Sequence, residues 1–562
     1  LLTWAHDYGK HHVDALIGHE FNWMRTSSLN YKAAYSLIEG FDTFANYIFP
    51  NSGGTFSGIG GGEDQEALEG YFLRANYNYD NKYYVTGSVR ADGSSKFRYN
   101  DDRWGVFWSV GGAWRISAEP WAADATWLTD LKLRADYGVI GNQNGIGRYS
   151  GYQTWSYSAT GYTTPGSYSP AGWKLSQNGF TTPLTWEKKK TVDVGLDFRL
   201  WDRFYGTMDW YQTNTDDVAW NAPISYAMSG QTTLAANSAR MRTRGFELEL
   251  GVDIIKTPNT LWSFNVNGST YYTTILEVPE GTGSAQLNGC WTAPADAWSI
   301  AGTGGTSDNI TYLRGIGKPY YNMYIYKYGG VDPASGLPLI ASTVSSTNID
   351  NLKKTSGNVY GDIVEGNTVY TTDYTLATRQ EFGDATPDFI GGFGTSLKWK
   401  NLDFSAQFAF QIGGKFLSVA DANHYYRSDQ TGYYHMSADL KGNTFTASNT
   451  GARYPMVILN NPNSNDYTGG STIGSWAYTD MALYSASYLN VKNLTLGYNF
   501  PQKWMDKIGI GGIRVYASFD NFWMLTTHKG IDPRMSLVGG MDVGAMAYPY
   551  MRTCSLGVNV TF

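Results

Sequence analysis

Cysteine is nearly missing from this chain of 562 residues: Cys290 and Cys554 are its only two. So few thiols exclude a disulfide framework and a Cys-rich zinc site, and both are read as free rather than bridged to each other. Long apolar runs are missing too. No stretch of about 18 apolar residues is present, so no helix of this sequence crosses a bilayer. Charge is sparse, at 16% of residues, against roughly 25% in ordinary soluble domains. The net charge is −7, and Lys and Arg form no extended cluster, which gives a phosphate backbone little to grip and argues against nucleic acid as a partner. The sequence opens at Leu1 with neither an initiator Met nor the charged, apolar, small-residue order of a signal peptide, so any targeting segment is expected to be missing or already removed.

What the chain does have is aromatic and glycine residues: 43 Tyr, 25 Phe and 20 Trp beside 65 Gly. Its mean hydropathy of −0.35 looks hydrophilic. That value is uninformative where apolar groups face lipid and polar groups face a wet interior, because the two faces average out. Successive side chains of a strand point to opposite faces, so such a strand alternates apolar and polar residues over about ten positions. Val192, Val194, Leu196, Phe198 and Leu200 alternate in this way against Thr191, Asp193, Gly195, Asp197 and Arg199. Phe246, Leu248, Leu250, Val252 and Ile254 do so against Glu247, Glu249, Gly251 and Asp253, and Leu402, Phe404, Ala406, Phe408 and Phe410 against Asp403, Ser405 and Gln407. Every charge falls on one face. Weaker alternation covers residues 13–23, 71–79, 83–91, 104–115, 131–139, 204–211, 262–270, 391–399, 488–500 and 513–523, which brings the expected count to about 15 strands.

The connections are of two kinds. Short polar turns are expected at Asp80 to Lys82, Trp201 to Arg203 and Lys400 to Asn401. Segments rich in Gly, Ser, Thr and Asn fill roughly 277–317, 330–388 and 414–486, and loops of such length are expected to be functional. Short turns on one rim and long loops on the other are the arrangement of an outer-membrane barrel. At the C-terminus Cys554, Leu556, Val558, Val560 and Phe562 alternate without a fault, and the terminal Phe562 resembles the signal read by the outer-membrane assembly machinery.

Several stretches resemble, in order, the barrel hairpins of one family. They are Glu69 to Asn78 (EGYFLRANYN), Gly87 to Phe97 (GSVRADGSSKF), Arg103 to Ser117 (RWGVFWSVGGAWRIS), Trp127 to Gln143 (WLTDLKLRADYGVIGNQ) and Thr185 to Phe198 (TWEKKKTVDVGLDF). Arg244 to Leu250 (RGFELEL), Thr386 to Lys398 (TPDFIGGFGTSLK), Ser487 to Tyr498 (SYLNVKNLTLGY) and Ile513 to Asn521 (IRVYASFDN) continue the series. Together they resemble the SusC/RagA class of TonB-dependent transporters, from about Leu68 to Phe562. The resemblance implies an all-β fold, a transmembrane antiparallel barrel of about 22 strands whose lumen is filled by a plug domain. Residues 1–562 are then expected to be the C-terminal part of the barrel, with plug and first strands not in this sequence.

The same resemblance implies energised import of an oligomeric nutrient, glycan or peptide, across the bacterial outer membrane. It implies a SusD-like surface lipoprotein that captures cargo, and TonB acting through the missing N-terminal part. Lipid bilayer and lipopolysaccharide are the expected surroundings, and a dimer of transporter–lipoprotein pairs is left open. Neither enzymatic activity nor a cofactor is expected. The rival readings are a passive porin and a glycan-binding surface adhesin without transport.

Asp193, Asp197, Arg199, Glu247, Glu249 and Asp403 are expected to line the lumen. Glu247 and Glu249 stand two apart on one strand, side by side rather than across a bond, which argues against a glycosidase pair. His11, His12 and Asp14, or His19 with Glu20, suggest a metal only superficially, since no second His follows at HExxH spacing. The Gly60 to Gly62 stretch is read as loop rather than phosphate cradle. Trp114, Trp210, Trp262, Trp399 and Trp523, at strand ends, are assigned to interfacial girdles. Trp291, Tyr320, Tyr321, Tyr425, Tyr426, Tyr433, Tyr434 and Trp476, in long loops, are the candidate ligand-binding residues, because flat rings with polar edges suit both sugars and peptides.

Overall fold

The computed structural model describes residues 1–31, 59–97, 103–149, 184–223, 233–279, 311–355, 359–418, 437–456, 479–528 and 550–562, with short pieces between them. Fifteen strands form its main sheet, each beside its neighbour in sequence. They are β1 (Leu2–Tyr8), β2 (His11–Tyr31), β3 (Ile59–Tyr79), β4 (Tyr83–Ser94), β5 (Trp104–Arg115), β6 (Leu128–Asn142), β7 (Glu187–Leu200), β8 (Phe204–Pro223), β9 (Thr233–Thr257) and β10 (Thr260–Glu277), then β11 (Pro387–Trp399), β12 (Leu402–Gly413), β13 (Tyr488–Asn499), β14 (Gly512–Thr526) and β15 (Thr553–Thr561). Pairing is antiparallel from β1 through β5 and from β10 through β15. Among the described residues β1 pairs only with β2, and β15 only with β14. Of the described helices, none is long and apolar enough to cross a membrane.

The sheet meanders because its turns are short and correctly twisted. Asp80 and Asn81 both sit at positive φ, as do Trp201 and Asp202. Lys82 N–H donates to Tyr79 O at 2.9 Å, and Arg203 N–H to Leu200 O at 3.0 Å. Positive φ at both central residues gives the turn whose twist matches the flanking strands. Several apolar positions of the alternation stand exposed. Val192, Val194, Phe246 and Ile254 are exposed on the apolar face, and Leu556, Val558 and Val560 of β15 reach 83%, 63% and 41% exposure, with Phe562 just beyond it at 96%. So much exposed apolar surface on one face marks a surface built to be covered.

By internal contacts the chain divides into two units. The first comprises Leu1–Trp114, Ala135–Val192 and Thr213–Arg240. Its buried cluster is Phe97, Phe107, Ile146, Leu184 and Trp186. Phe107 alternates with the exposed Val106 and Trp108, so this cluster lies on the otherwise polar face. Trp186 packs 5.1 Å from Phe97 and edge-on at 5.4 Å from Phe107, and its indole N–H donates to Arg103 O at 3.1 Å. Thus the polar face is dry where incoming segments fold back upon it.

The second unit comprises Arg115–Arg134, Asp193–Gln212 and Met241–Phe562. Between β10 and β11 it holds a folded module rather than open loop. Thr311–Gly315, Asn322–Tyr326 and Arg379–Asp384 belong to one small sheet, and Tyr328–Val331, Pro338–Thr343, Val359–Tyr360 and Thr368–Thr371 to another. Helix α1 (Ile349–Lys354) has Asp350 in its first turn and Lys353 and Lys354 in its last, matching the helix dipole, and buries Leu352. Tyr312, Met323, Ile325, Ile340, Leu417, Leu440, Tyr454 and Ala482 form one core here, and Val344, Leu352 and Val369 a second.

Candidate functional site

On the polar face of the second unit, charges far apart in sequence meet across neighbouring strands. The Arg134 guanidinium on β6 donates from Nε and Nη2 to the Asp197 carboxylate on β7, 3.0 Å each, and from Nη2 to Asp209 on β8 at 2.8 Å. A methyl group at Gly195 would stand 2.6 Å from Arg134 Nη2, so glycine there leaves room for the guanidinium. At β13 and β14 the device recurs. Arg514 Nη2 donates to Asp403 Oδ2 at 2.5 Å, Asn499 donates to Asp403 Oδ1 at 3.1 Å, and a methyl at Gly497 would lie 2.5 Å from Arg514 Nη2.

Two open cavities follow along this face. The first, of about 550 Å³, is lined among others by Asp209, Glu247, Glu249, Asn267, Gln411 and Tyr488. The second, of about 520 Å³, includes Asp384, Asp388, Lys415, Asp480 and Tyr484 in its lining. The first includes Ile390 and Gln411, and the second Asp388 and Gly413, their neighbours two residues along the same strands, so the cavities are consecutive. Burial raises the Asp384 carboxyl above its usual range against hydrogen bonds from Thr386, and raises Asp480 against the Tyr328 N–H, 2.7 Å away. Lys415 Nζ donates to Phe382 O at 2.6 Å.

The expected lumen residues fall as follows. Asp193, Asp197, Arg199, Glu247, Glu249 and Asp403 alternate with the apolar face. Arg199 lies 4.8 Å from the Tyr205 ring and 3.7 Å from Asp202. Glu247 and Glu249 share the first cavity. Of the loop aromatics, Tyr320 has the Arg314 guanidinium 3.9 Å above its ring, and Tyr321 stands edge-on to Tyr312 at 5.6 Å. Trp291 lies in the strand Cys290–Pro294, paired with Arg314. Tyr425, Tyr426, Tyr433, Tyr434 and Trp476 lie outside the described residues. Phe562 is exposed on the apolar face, as is Cys554, whose thiol is free. Trp114, Trp210, Trp262, Trp399 and Trp523 are all exposed.

His11 Nδ1 is 2.8 Å from the Tyr77 hydroxyl, His12 Nδ1 is 2.5 Å from Asp7, and His19 Nε2 is 3.0 Å from Glu69. Among the described residues no group of three or more His, Cys, Asp or Glu is arranged to hold a metal. Sequence reasoning missed Arg134, Asp209, Arg514, Asp384, Asp388 and Asp480. Arg134 was visible only as one polar position in the alternation of 131–139, since its partners are 63 and 75 residues away.

A family model described as TonB dependent receptor-like, beta-barrel matches residues 2–335, more than half of the chain. A TonB-dependent receptor of Formosa agariphila is 26% identical over all of this chain and 52% of its own length. The TonB-dependent receptor SusC of Bacteroides thetaiotaomicron is 27% identical over 89% of this chain and 44% of its own. The chain thus spans about half the length of the curated relatives it matches. Among solved structures the RagAB peptide transporter superposes with a TM-score of 0.72 at 24% identity, over all of this chain and 54% of that one. With its meander of strands, one face apolar and the other carrying paired charges, the chain belongs to the TonB-dependent receptor-like β-barrel family.

Proposed function

We propose that this chain is the barrel wall of a transporter that imports oligomeric nutrients, glycan or peptide, across the bacterial outer membrane at the expense of TonB. The observation that carries the reading is the two-faced sheet. Its apolar side chains stand exposed on one face, while the other holds carboxylates, guanidinium groups and consecutive open cavities. A wall with lipid on one side and a wet path on the other has this composition. The domain reading belongs with it: residues 1–562 supply the C-terminal part of the barrel, and plug and first strands belong to the rest of the protein. A SusD-like surface lipoprotein is the proposed partner at the rim of long loops, where a module with its own cores supplies a rigid platform.

The test is uptake of labelled oligomers by cells with and without the gene. Energised import predicts that uptake falls on deletion and also in a strain without functional TonB. Uptake that survives loss of TonB identifies a passive porin, and surface binding without entry an adhesin. Co-purification of a lipoprotein with the tagged transporter tests the partner.

A further inference from the structure

One link on the short-turn rim of the second unit is longer than its neighbour. Lys400 and Asn401 alone join β11 to β12, whereas β13 reaches β14 through helix α2 (Gln502–Ile508). Gly509 ends that helix at positive φ with its N–H on Met505 O, and Lys507 lies in the last turn, where the helix dipole favours a cation. Met505 is buried on one face, while Trp504 and Ile508, one turn apart, are exposed on the next. Lys503 and Lys507 flank that apolar pair at the same spacing, and on the remaining face Gln502 donates to Asp506 at 2.9 Å. The apolar pair continues the face already exposed on the strands. Leu496 and Tyr498 pair with Phe404 and Leu402 and so share their face. Tyr498 stands edge-on to Phe500 at 5.4 Å, and Phe500 lies 6.3 Å from Trp504. Asn499 N–H donates to Asn401 O and Asn401 Nδ2 to Asn499 O, both at 2.8 Å, which sets the start of α2 beside the turn at Trp399 and Lys400. There Lys400 Nζ stands 5.6 Å from the centre of the exposed Trp399 ring. An independent sign lies further along the rim. Trp201 sits in its turn at a φ of 50°, exposed and 6.4 Å from the exposed Trp127 ring. A bulky residue at positive φ is strained, and asparagine or glycine closes such a turn without strain, so the ring itself is what that position supplies.

From these observations we infer that α2 and the adjoining turn at Trp399 and Lys400 form a foot that seats on anionic phospholipid headgroups of the periplasmic leaflet. The inference rests on the outer-membrane reading, which puts the short turns at the periplasmic rim. Tryptophan rings prefer the headgroup level, and a lysine beside an apolar stripe buries its stem while its ammonium stays at the interface. The chain as a whole carries a net charge of −7, yet Lys400, Lys503 and Lys507 stand on this foot with Asp506 as its one acid. The local sign is therefore reversed, and a phosphate surface is drawn to the foot. A zwitterionic headgroup would use the rings and gain little from the ammonium groups. Seated in this way, the foot fixes the height of β13 and β14 in the bilayer.

The experiment uses the intact transporter in vesicles of equimolar dioleoylphosphatidylglycerol and dioleoylphosphatidylcholine, with Trp504→p-benzoylphenylalanine as a light-activated probe on α2. Lipid captured by the probe is identified by its mass. Each lysine near an anionic surface strengthens attraction about fivefold, so phosphatidylglycerol is expected to exceed phosphatidylcholine by about fivefold or more. K400Q/K503Q/K507Q should bring the ratio to about one, and salt, which screens the same attraction without any substitution, should lower it too. Heat-modifiable migration on gels verifies that each variant is folded. Equal capture of the two lipids with the lysines in place overturns the inference, as does a preference that survives K400Q/K503Q/K507Q. Leu196→p-benzoylphenylalanine, on the apolar face of β7, separates this inference from the reading beneath it. Lipid captured by the probe on β7 but not by the probe on α2 overturns the foot alone, whereas no capture on β7 overturns the lipid-facing wall and the inference with it.

Discussion

Leucine 196 offers the sharpest trial of the two-faced wall. It lies on the apolar face of β7, midway between Trp201 of the short turn and Lys190, the nearest charge on that face. About ten tilted residues cross the hydrocarbon core, which puts Leu196 near its midplane. Leu196→Lys buries an ammonium there and should cost about 2–4 kcal/mol. The partner substitution must lie on the opposite face and break nothing. Asp197 fails that condition, because its carboxylate takes two hydrogen bonds from Arg134. Asp197→Lys would set two cations side by side and cost about 1 kcal/mol, discounted because both side chains are near a third exposed. Glu249, exposed in its cavity and in no ion pair among the described residues, is the proper control, and Glu249→Lys should change stability by under about 0.5 kcal/mol. Urea titration of the full protein folded in lipid vesicles, followed by tryptophan fluorescence, measures all three. If Leu196→Lys costs no more than Glu249→Lys, the apolar face does not face lipid and the topology is wrong.

Trp186→Ala should cost about 3–5 kcal/mol, because it empties the centre of the inward apolar cluster against Phe97 and Phe107; an unchanged urea midpoint would show that the cluster is not a core. Gly497→Ala should displace Arg514 from Asp403 at a cost of about 1 kcal/mol, since that pair is 31% exposed on both sides; a crystal structure with the pair intact would refute the steric argument. In the loop module, burial pushes the Asp332 carboxyl up, but hydrogen bonds from the Ser335 and Tyr360 hydroxyls and from the Ala334 and Ser335 N–H groups outweigh it and hold the group below its usual range. A depressed carboxyl stabilises the fold above its unfolded pKa and loses that contribution as pH falls through the folded one. The module should therefore loosen in acid below about pH 4, detected as proteolysis between Thr311 and Asp384, and Asp332→Asn should remove part of the pH dependence.

The strands were legible because lipid on one face and water on the other leave a period of two almost no freedom. In β7, β9, β12 and β15 the alternation assigned each side chain to its face, and the turns at Asp80 to Lys82 and Trp201 to Arg203 were marked by polar residues that tolerate positive φ. Pairing across strands was not legible. Alternation fixes register only to within two residues, so nothing in the sequence said that Arg134 reaches both Asp197 and Asp209. The module between β10 and β11 was hidden for another reason. Its strands are two to six residues long, and its cores draw on Leu417, Leu440, Tyr454 and Ala482, far from Tyr312 in sequence. The inward cluster escaped because Leu184 and Trp186 precede a run of lysines and share no alternation with the strand that follows.

Pairing Asp197, Asp209 and Asp403 with arginines has a consequence for anything that slides along the polar face. A single carboxylate attracts a cation 4 Å away by only about 1 kcal/mol in water, but several times that where walls lower the effective dielectric. A wall of unpaired charges would therefore either repel an oligomer or hold it at every step. With Asp197, Asp209 and Asp403 bound to arginines, the field is left to the few groups that lack such partners, and an oligomer meets attraction at a few places rather than along the whole path. Weak, separated sites suit capture followed by release, because affinity summed over many contacts would slow departure more than it speeds entry. Arg134→Ala should on this reasoning do two things at once: free two carboxylates, tightening and slowing a cationic probe, and weaken the wall by leaving like charges adjacent. Pentalysine bound more tightly but released more slowly from Arg134→Ala is the expected result, and faster release from that variant would refute the role given to the pairs.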